Sequence, residues 1–133
     1  MHRKLSALLA GAFAAGVWLA ASAFAGAGAR QSVLPETGQI TKAMINTGRN
    51  VFHEQGNCFM CHGPELEGTL IAPTLRDHKW KDAKGGTLPE IHRVVTSGVD
   101  GTAMVSHPGG ISDAQVVYVA VYVWSVSHGT AKP

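Results

Sequence analysis

Asn57-Cys58-Phe59-Met60-Cys61-His62 is the stretch on which the reading of this chain turns. It holds both cysteines of the protein, three positions apart, with a histidine directly after the second. That spacing puts the two sulfurs on one face of a helical turn. A disulfide closing so short a loop removes little chain entropy and leaves His62 unexplained. Zinc asks for two more soft ligands. Five other histidines lie beyond residue 25, at 53, 78, 92, 107 and 128, and none is paired at metal spacing. A thioredoxin-like dithiol calls for a βαβ context, and no such pattern surrounds this one.

Working outward, the chain has 133 residues, one domain's worth. Its formal charge of +2 is distorted by the N-terminus. His2, Arg3 and Lys4 form a basic start, an apolar Ala- and Gly-rich run follows from Leu5, and Ala23-Phe24-Ala25 offers a small-x-small cleavage site. Residues 1–25 therefore read as a secretory signal, with a retained membrane anchor as the alternative. Either way the domain lies outside the cytoplasm, and the periplasm is the expected compartment. Without residues 1–25 the chain keeps nine basic and nine acidic side chains. So balanced a domain lacks the dense basic face that general nucleic-acid binding needs.

Residues 26–40 hold Gly, Ser, Pro and Gln without periodicity and read as a flexible lead-in to a domain over 41–133. Thr41 can cap a first helix over about 42–55, where Ala43, Met44, Thr47, Val51 and Phe52 recur at helical spacing. Gly56-Asn57 ends it. Residues 63–75 are loop, and 76–86 are charged and close on two glycines. Leu88–Ser97 forms another helix, with Pro89 in its first turn and a stripe of Leu88, Ile91, Val94 and Val95. A Gly-rich loop runs from Gly98 to Gly110. The run from Val116 to Trp124 is β-branched and aromatic, which favours a strand. It has no polar alternation, however, and Ser112 with Gln115 makes a capping box. The expectation is a helix over about 113–126, in an all-α domain.

Cys-x-x-Cys-His is the attachment signature for a c-type haem. Two thioethers reach the two vinyl groups of one porphyrin, and the adjacent His62 offers its imidazole to the iron as proximal ligand. The covalent macrocycle then supplies the centre of a core that a domain this small cannot otherwise build. One haem c per chain is the expected cofactor.

At this point the chain resembles the small monohaem class I cytochromes c, over about residues 41–128. Gly48 and Phe52 match the family's glycine and aromatic on the first helix. Ala72-Pro73-Thr74-Leu75 resembles the loop whose proline carbonyl accepts a hydrogen bond from the proximal histidine. Ile111-Ser112-Asp113 with Val121-Tyr122-Val123 resembles the family's last helix, whose aromatic crosses the first. The resemblance implies three to five short helices around the haem, with Tyr122 packed on Gly48. It also implies Met104 as distal ligand. The family usually has Met-Pro there, whereas this chain has Met104-Val105-Ser106-His107-Pro108. His107 is therefore a competing ligand, because imidazole also binds haem iron.

Other candidates follow. Pro73 would fix the His62 tautomer, and Trp80 would donate its indole N–H to a haem propionate. Arg76 and Arg93 are weaker candidates for the same carboxylates, and solvated arginines are the simpler reading. Met44 and Met60 read as packing. His53, His78, His92 and His128 read as surface residues, and Tyr118 and Trp124 as core or interface. Arg76, Lys79, Lys81 and Lys84 make a basic cluster that is either a solvated face or a docking patch for an acidic redox partner.

The expected function is electron carriage without catalysis, between a dehydrogenase or reductase and a terminal oxidase. Residues 80–98 resemble cytochromes that serve quinoprotein alcohol dehydrogenases, and also haem domains of oxidase subunits. The alternatives are a haem subunit fixed in an oxidoreductase complex, and a five-coordinate haem sensor or enzyme.

Overall fold

The computed structural model describes residues 33–77 and 79–133. The expected signal segment, the first part of the lead-in and His78 lie outside them. Four α-helices follow in order: α1 over Lys42–His53, α2 over Phe59–His62, α3 over Leu88–Ser97 and α4 over Asp113–Ser127. Short 3-10 turns occupy Thr37–Gln39 and Pro108–Gly110. The described residues contain no strand. No helix among them is long and apolar enough to cross a membrane.

Each long helix starts where a side chain can take up orphan amide protons. Thr41 accepts from the Met44 amide at 3.3 Å. Thr87 with Glu90 and Ser112 with Gln115 form full capping boxes. The last of these settles the ambiguous apolar run as helix. Once Ser112 fixes the first turn, ten of the fifteen residues of α4 are buried. A helix that is apolar nearly all round belongs in the middle of a fold. Packing thus overrides β-propensity here.

Two boundaries and two surface assignments differ from the sequence reading, and Met60, read as packing, is 65% exposed. α1 stops at His53 rather than near 55, because the Glu54 backbone leaves the helical region (φ −113°, ψ −93°). α4 runs on to Ser127. His53 is half-buried rather than a surface residue, stacked on Phe59 with ring centroids 6.0 Å apart. His92 is also half-buried.

α4 packs against both α1 and α3. It meets α1 at Gly48, where an added Cβ would overlap the Tyr118 carbonyl and stand 2.8 Å from the Tyr122 Cβ. Backbone therefore touches backbone at this crossing. Phe52 meets Tyr122 edge-on at 5.6 Å, and both rings are fully buried. The expected pairing of Tyr122 with Gly48 is the pairing found.

Burial raises the Tyr122 phenol above its ordinary pKa, and its Oη has no hydrogen-bond partner among the described residues. A buried hydroxyl without a partner is a cost to the fold. Tyr122→Phe is therefore expected to keep the ring packing and to stabilise the domain by about 1 kcal/mol. Thermal unfolding followed by circular dichroism measures this. A clear loss of stability would mean that the hydroxyl has a partner after all.

Candidate functional site

α2 is a single turn whose purpose is placement. The His62 amide donates to the Cys58 carbonyl at 2.9 Å, and the Cys58 amide donates back to Phe52 at the end of α1 at 3.0 Å. Cys58 and Cys61 are free thiols and no disulfide joins them. Burial pushes the Cys58 thiol up to about 11.

The imidazole of His62 is held by the loop that follows. Its Nδ1 lies 2.9 Å from the Pro73 carbonyl oxygen. A carbonyl only accepts, so Nδ1 carries the proton and Nε2 keeps its lone pair. Burial lowers the His62 pKa, opposed by the Pro73 bond. The neutral form, the one that ligates metals, is thereby favoured.

Pro73 reaches this position through residues that sequence reading passed over. Leu66 is fully buried at a positive φ of 62°. Its carbonyl accepts from the Leu75 amide at 2.8 Å and from the Thr74 hydroxyl at 3.1 Å. Thr69 Oγ1 donates to the Cys61 carbonyl at 2.6 Å, and the Gly68 amide donates to the His62 carbonyl at 2.7 Å. The loop is thus closed on itself through Leu66 and tied to the end of α2 through Gly68 and Thr69. Leu66 is one of three leucines in this loop, and nothing in the local sequence marks it as the buried one.

Cys58, Cys61 and His62 open onto a cavity of about 540 Å³. Its far walls include Trp80, Ile91, Val95, Met104 and Val123. Trp80 Nε1 is buried and has no hydrogen-bond partner among the described residues. Met104 lines the cavity, and His107 does not. The His107 Nε2 is instead 2.9 Å from Asp113 Oδ1 at the start of α4. The two weaker arginine candidates are both tied to protein. Arg76 donates to the Glu65 carboxylate and carbonyl, each at 2.6 Å, and Arg93 donates to the Asp82 carbonyl at 2.6 Å. Arg76 therefore leaves the basic cluster as a free charge, while Lys79 and Lys81 stay on the cavity wall.

These residues fit a covalently held porphyrin. The cavity is within the size of a cofactor site. Two unpaired thiols sit one turn apart at its edge, a neutral imidazole of fixed tautomer faces it, and an orphan indole donor awaits an acceptor.

A helical chain of this topology around such a site is a c-type cytochrome, and its cofactor is covalently bound haem c. The chain belongs to the family described as cytochrome c oxidase, cbb3-type, subunit III, which matches residues 43–123. Among solved structures it is similar to cytochrome cL from the marine methylotroph Methylophaga aminisulfidivorans. That match has a TM-score of 0.53 and 21% identity, over 61% of this chain and 53% of that one. It is also similar to cytochrome c6 from the diatom Phaeodactylum tricornutum, with a TM-score of 0.53 and 26% identity, over 65% of this chain and 98% of that one. A third similar structure is the Kuenenia stuttgartiensis reducing HAO-like protein complex, with a TM-score of 0.55 and 25% identity over 69% of this chain and 49% of that one. The chain spans about half the length of the cytochrome cL it matches. Haem-based electron transfer is the function that the family and these likenesses support.

Proposed function

We propose that this protein is an exported one-electron carrier, with residues 1–25 a cleaved signal, 26–40 a lead-in and 41–133 the haem domain. In this reading Cys58 and Cys61 form the thioether links, and His62 and Met104 are the axial ligands. The observation that carries it is the presence of His62 and Met104 on one cavity while His107 is tied to Asp113 outside it. Haem c supplies a one-electron Fe(III)/Fe(II) couple when bound.

The chain's own residues do the rest. Pro73 keeps the Nδ1 proton of His62 in place, so that Nε2 remains a donor to metal. Met104 would supply the second ligand from across the cavity, which would exclude substrate and favour the reduced state. Trp80 would donate its buried N–H to a propionate. Ile71 and Val105 are 68% and 59% exposed on the cavity rim, beside Lys79 and Lys81. They offer a redox partner an apolar contact with positive charge at its edge. The partners are a dehydrogenase or reductase as donor and a terminal oxidase as acceptor.

The family description and the likeness to a multi-protein complex favour a second reading, in which the same domain is a haem subunit held in an oxidoreductase assembly. Both readings predict the same local chemistry and differ in whether the mature protein is isolated alone.

The test uses the mature haem-loaded protein. It is expected to retain its haem on denaturation, to give up one electron to hexacyanoferrate(III) at a rate that falls with added salt, and not to bind carbon monoxide when reduced. Carbon monoxide binding by the reduced protein would replace the carrier reading with a five-coordinate sensor or enzyme. A rate indifferent to salt would remove the basic rim from the docking surface.

A further inference from the structure

We propose that Gly98 and Thr102 are positioning residues for the distal ligand, an inference that rests on Met104 holding that role. The loop from Gly98 to Gly110 carries Met104, yet its side chains form little of the core. Its depth in the cavity is set by backbone contacts instead.

α3 ends at Ser97, and the Gly98 amide closes it by donating to the Val94 carbonyl at 2.8 Å. Gly98 then takes φ 71°, ψ −168°, a combination available essentially to glycine alone. The next amide, that of Val99, donates to the Met104 carbonyl at 2.8 Å. This bond folds the loop flat against Gly98. A Cβ on Gly98 would stand 2.6 Å from the Met104 carbonyl oxygen, 2.8 Å from the Ser106 amide nitrogen and 2.9 Å from the Val105 carbonyl carbon. All three are backbone atoms and cannot rotate out of the way. The segment around Met104 would have to lift.

Thr102 holds the other side of the same turn. Its hydroxyl oxygen accepts from the Met104 amide at 3.1 Å while its proton goes to the Val99 carbonyl at 2.8 Å. Both backbone groups of Met104 are thus tied within its own loop, to Val99 and to Thr102. The thioether is the part left to face the cavity.

Gly101 provides an internal control. It has φ 72°, close to that of Gly98, but an added Cβ there meets nothing within 4 Å. Gly101→Ala therefore carries a left-handed backbone cost without the overlap. The conservative variant Thr102→Ser keeps the hydroxyl, and Thr102→Val removes it at similar volume.

The experiment records the far-red sulfur–iron band of the oxidised protein and carbon monoxide binding by the reduced protein, with melting temperature measured alongside. Gly98→Ala is expected to lose the band and to bind carbon monoxide while its helical circular dichroism persists. Gly101→Ala is expected to keep the band at a lower melting temperature. Thr102→Val is expected to raise the fraction open to carbon monoxide by about tenfold, the effect of one lost hydrogen bond. Thr102→Ser is expected to restore the parent behaviour. Thr102→Val decides the matter if Gly98→Ala does not fold. If Gly98→Ala and Thr102→Val change only the melting temperature, the two residues are structural and the proposal fails. If the parent itself lacks the band, it is the Met104 assignment that fails.

Discussion

Met104→Ala is expected to abolish the far-red band of the oxidised protein, to open the reduced iron to carbon monoxide and to lower the midpoint potential. A thioether stabilises the ferrous state relative to water or imidazole. Axial ligation commands a range of about 0.8 V, so a fall on the order of 0.1 V is a modest expectation. The fold should survive, because Met104 is only partly buried and packs at the margin of the core. His107→Ala is the matching control. Its Nε2 is engaged by Asp113 and it does not line the cavity, so the band and the potential should stay as in the parent. The outcome that would reverse the assignment is a parent-like spectrum in Met104→Ala together with a changed one in His107→Ala. Optical titration against a potential scale reads both effects in one series.

The second large effect is on stability. Gly48→Ala places a methyl between α1 and α4 where there is no room, against the Tyr118 carbonyl and 2.8 Å from the Tyr122 Cβ. Alanine raises helix propensity by about 1 kcal/mol over glycine. Overpacking costs about 1–3 kcal/mol and occasionally more. The overlap here is with backbone on one side and with the root of a fully buried ring on the other, so relief requires the helices to part. Parting them uncovers Phe52 and Tyr122, the two largest rings at the crossing. A net loss of about 3 kcal/mol is expected, at the upper end of that range. For a domain of this size that corresponds to a melting temperature lower by roughly 12–24 °C. Gly38→Ala, where an added Cβ meets nothing within 4 Å, should leave the melting temperature nearly unchanged. A drop of only a few degrees in Gly48→Ala would mean that the α1–α4 crossing yields easily and does not set the core.

Much of the site was legible because its chemistry needs neighbours in sequence. Cys58, Cys61 and His62 lie within five positions, so one helical turn assembles them whatever the rest of the chain does. The caps Thr41 and Ser112 were legible for the same reason, whereas the Thr87 cap went unread and its helix was placed by Pro89 and its apolar stripe. Thr41, Thr87 and Ser112 act within three or four residues of themselves, and the helices they start were placed to within two residues. The distal side was less so. Met104 and His107 are three residues apart in one Gly-rich loop, and composition gives no reason to prefer either. The resemblance put Met104 first, and what the fold adds is the contact of His107 with Asp113 on α4, which only folding brings near. Leu66 escaped notice because its burial depends on the loop that closes over it. Arg76 read as part of a free basic cluster because Glu65, eleven residues earlier, reaches it only when the loop folds back.

The sequence by itself determined the attachment turn, the all-α class and the starts of the helices, since each rests on contacts between residues a turn or less apart. Tertiary structure decided the rest. It buried ten of the fifteen residues of α4, set Pro73 against His62, put Met104 rather than His107 on the cavity and took Arg76 out of the basic cluster. Those outcomes depend on contacts between segments far apart in the chain, and on which groups lose access to water when the segments meet.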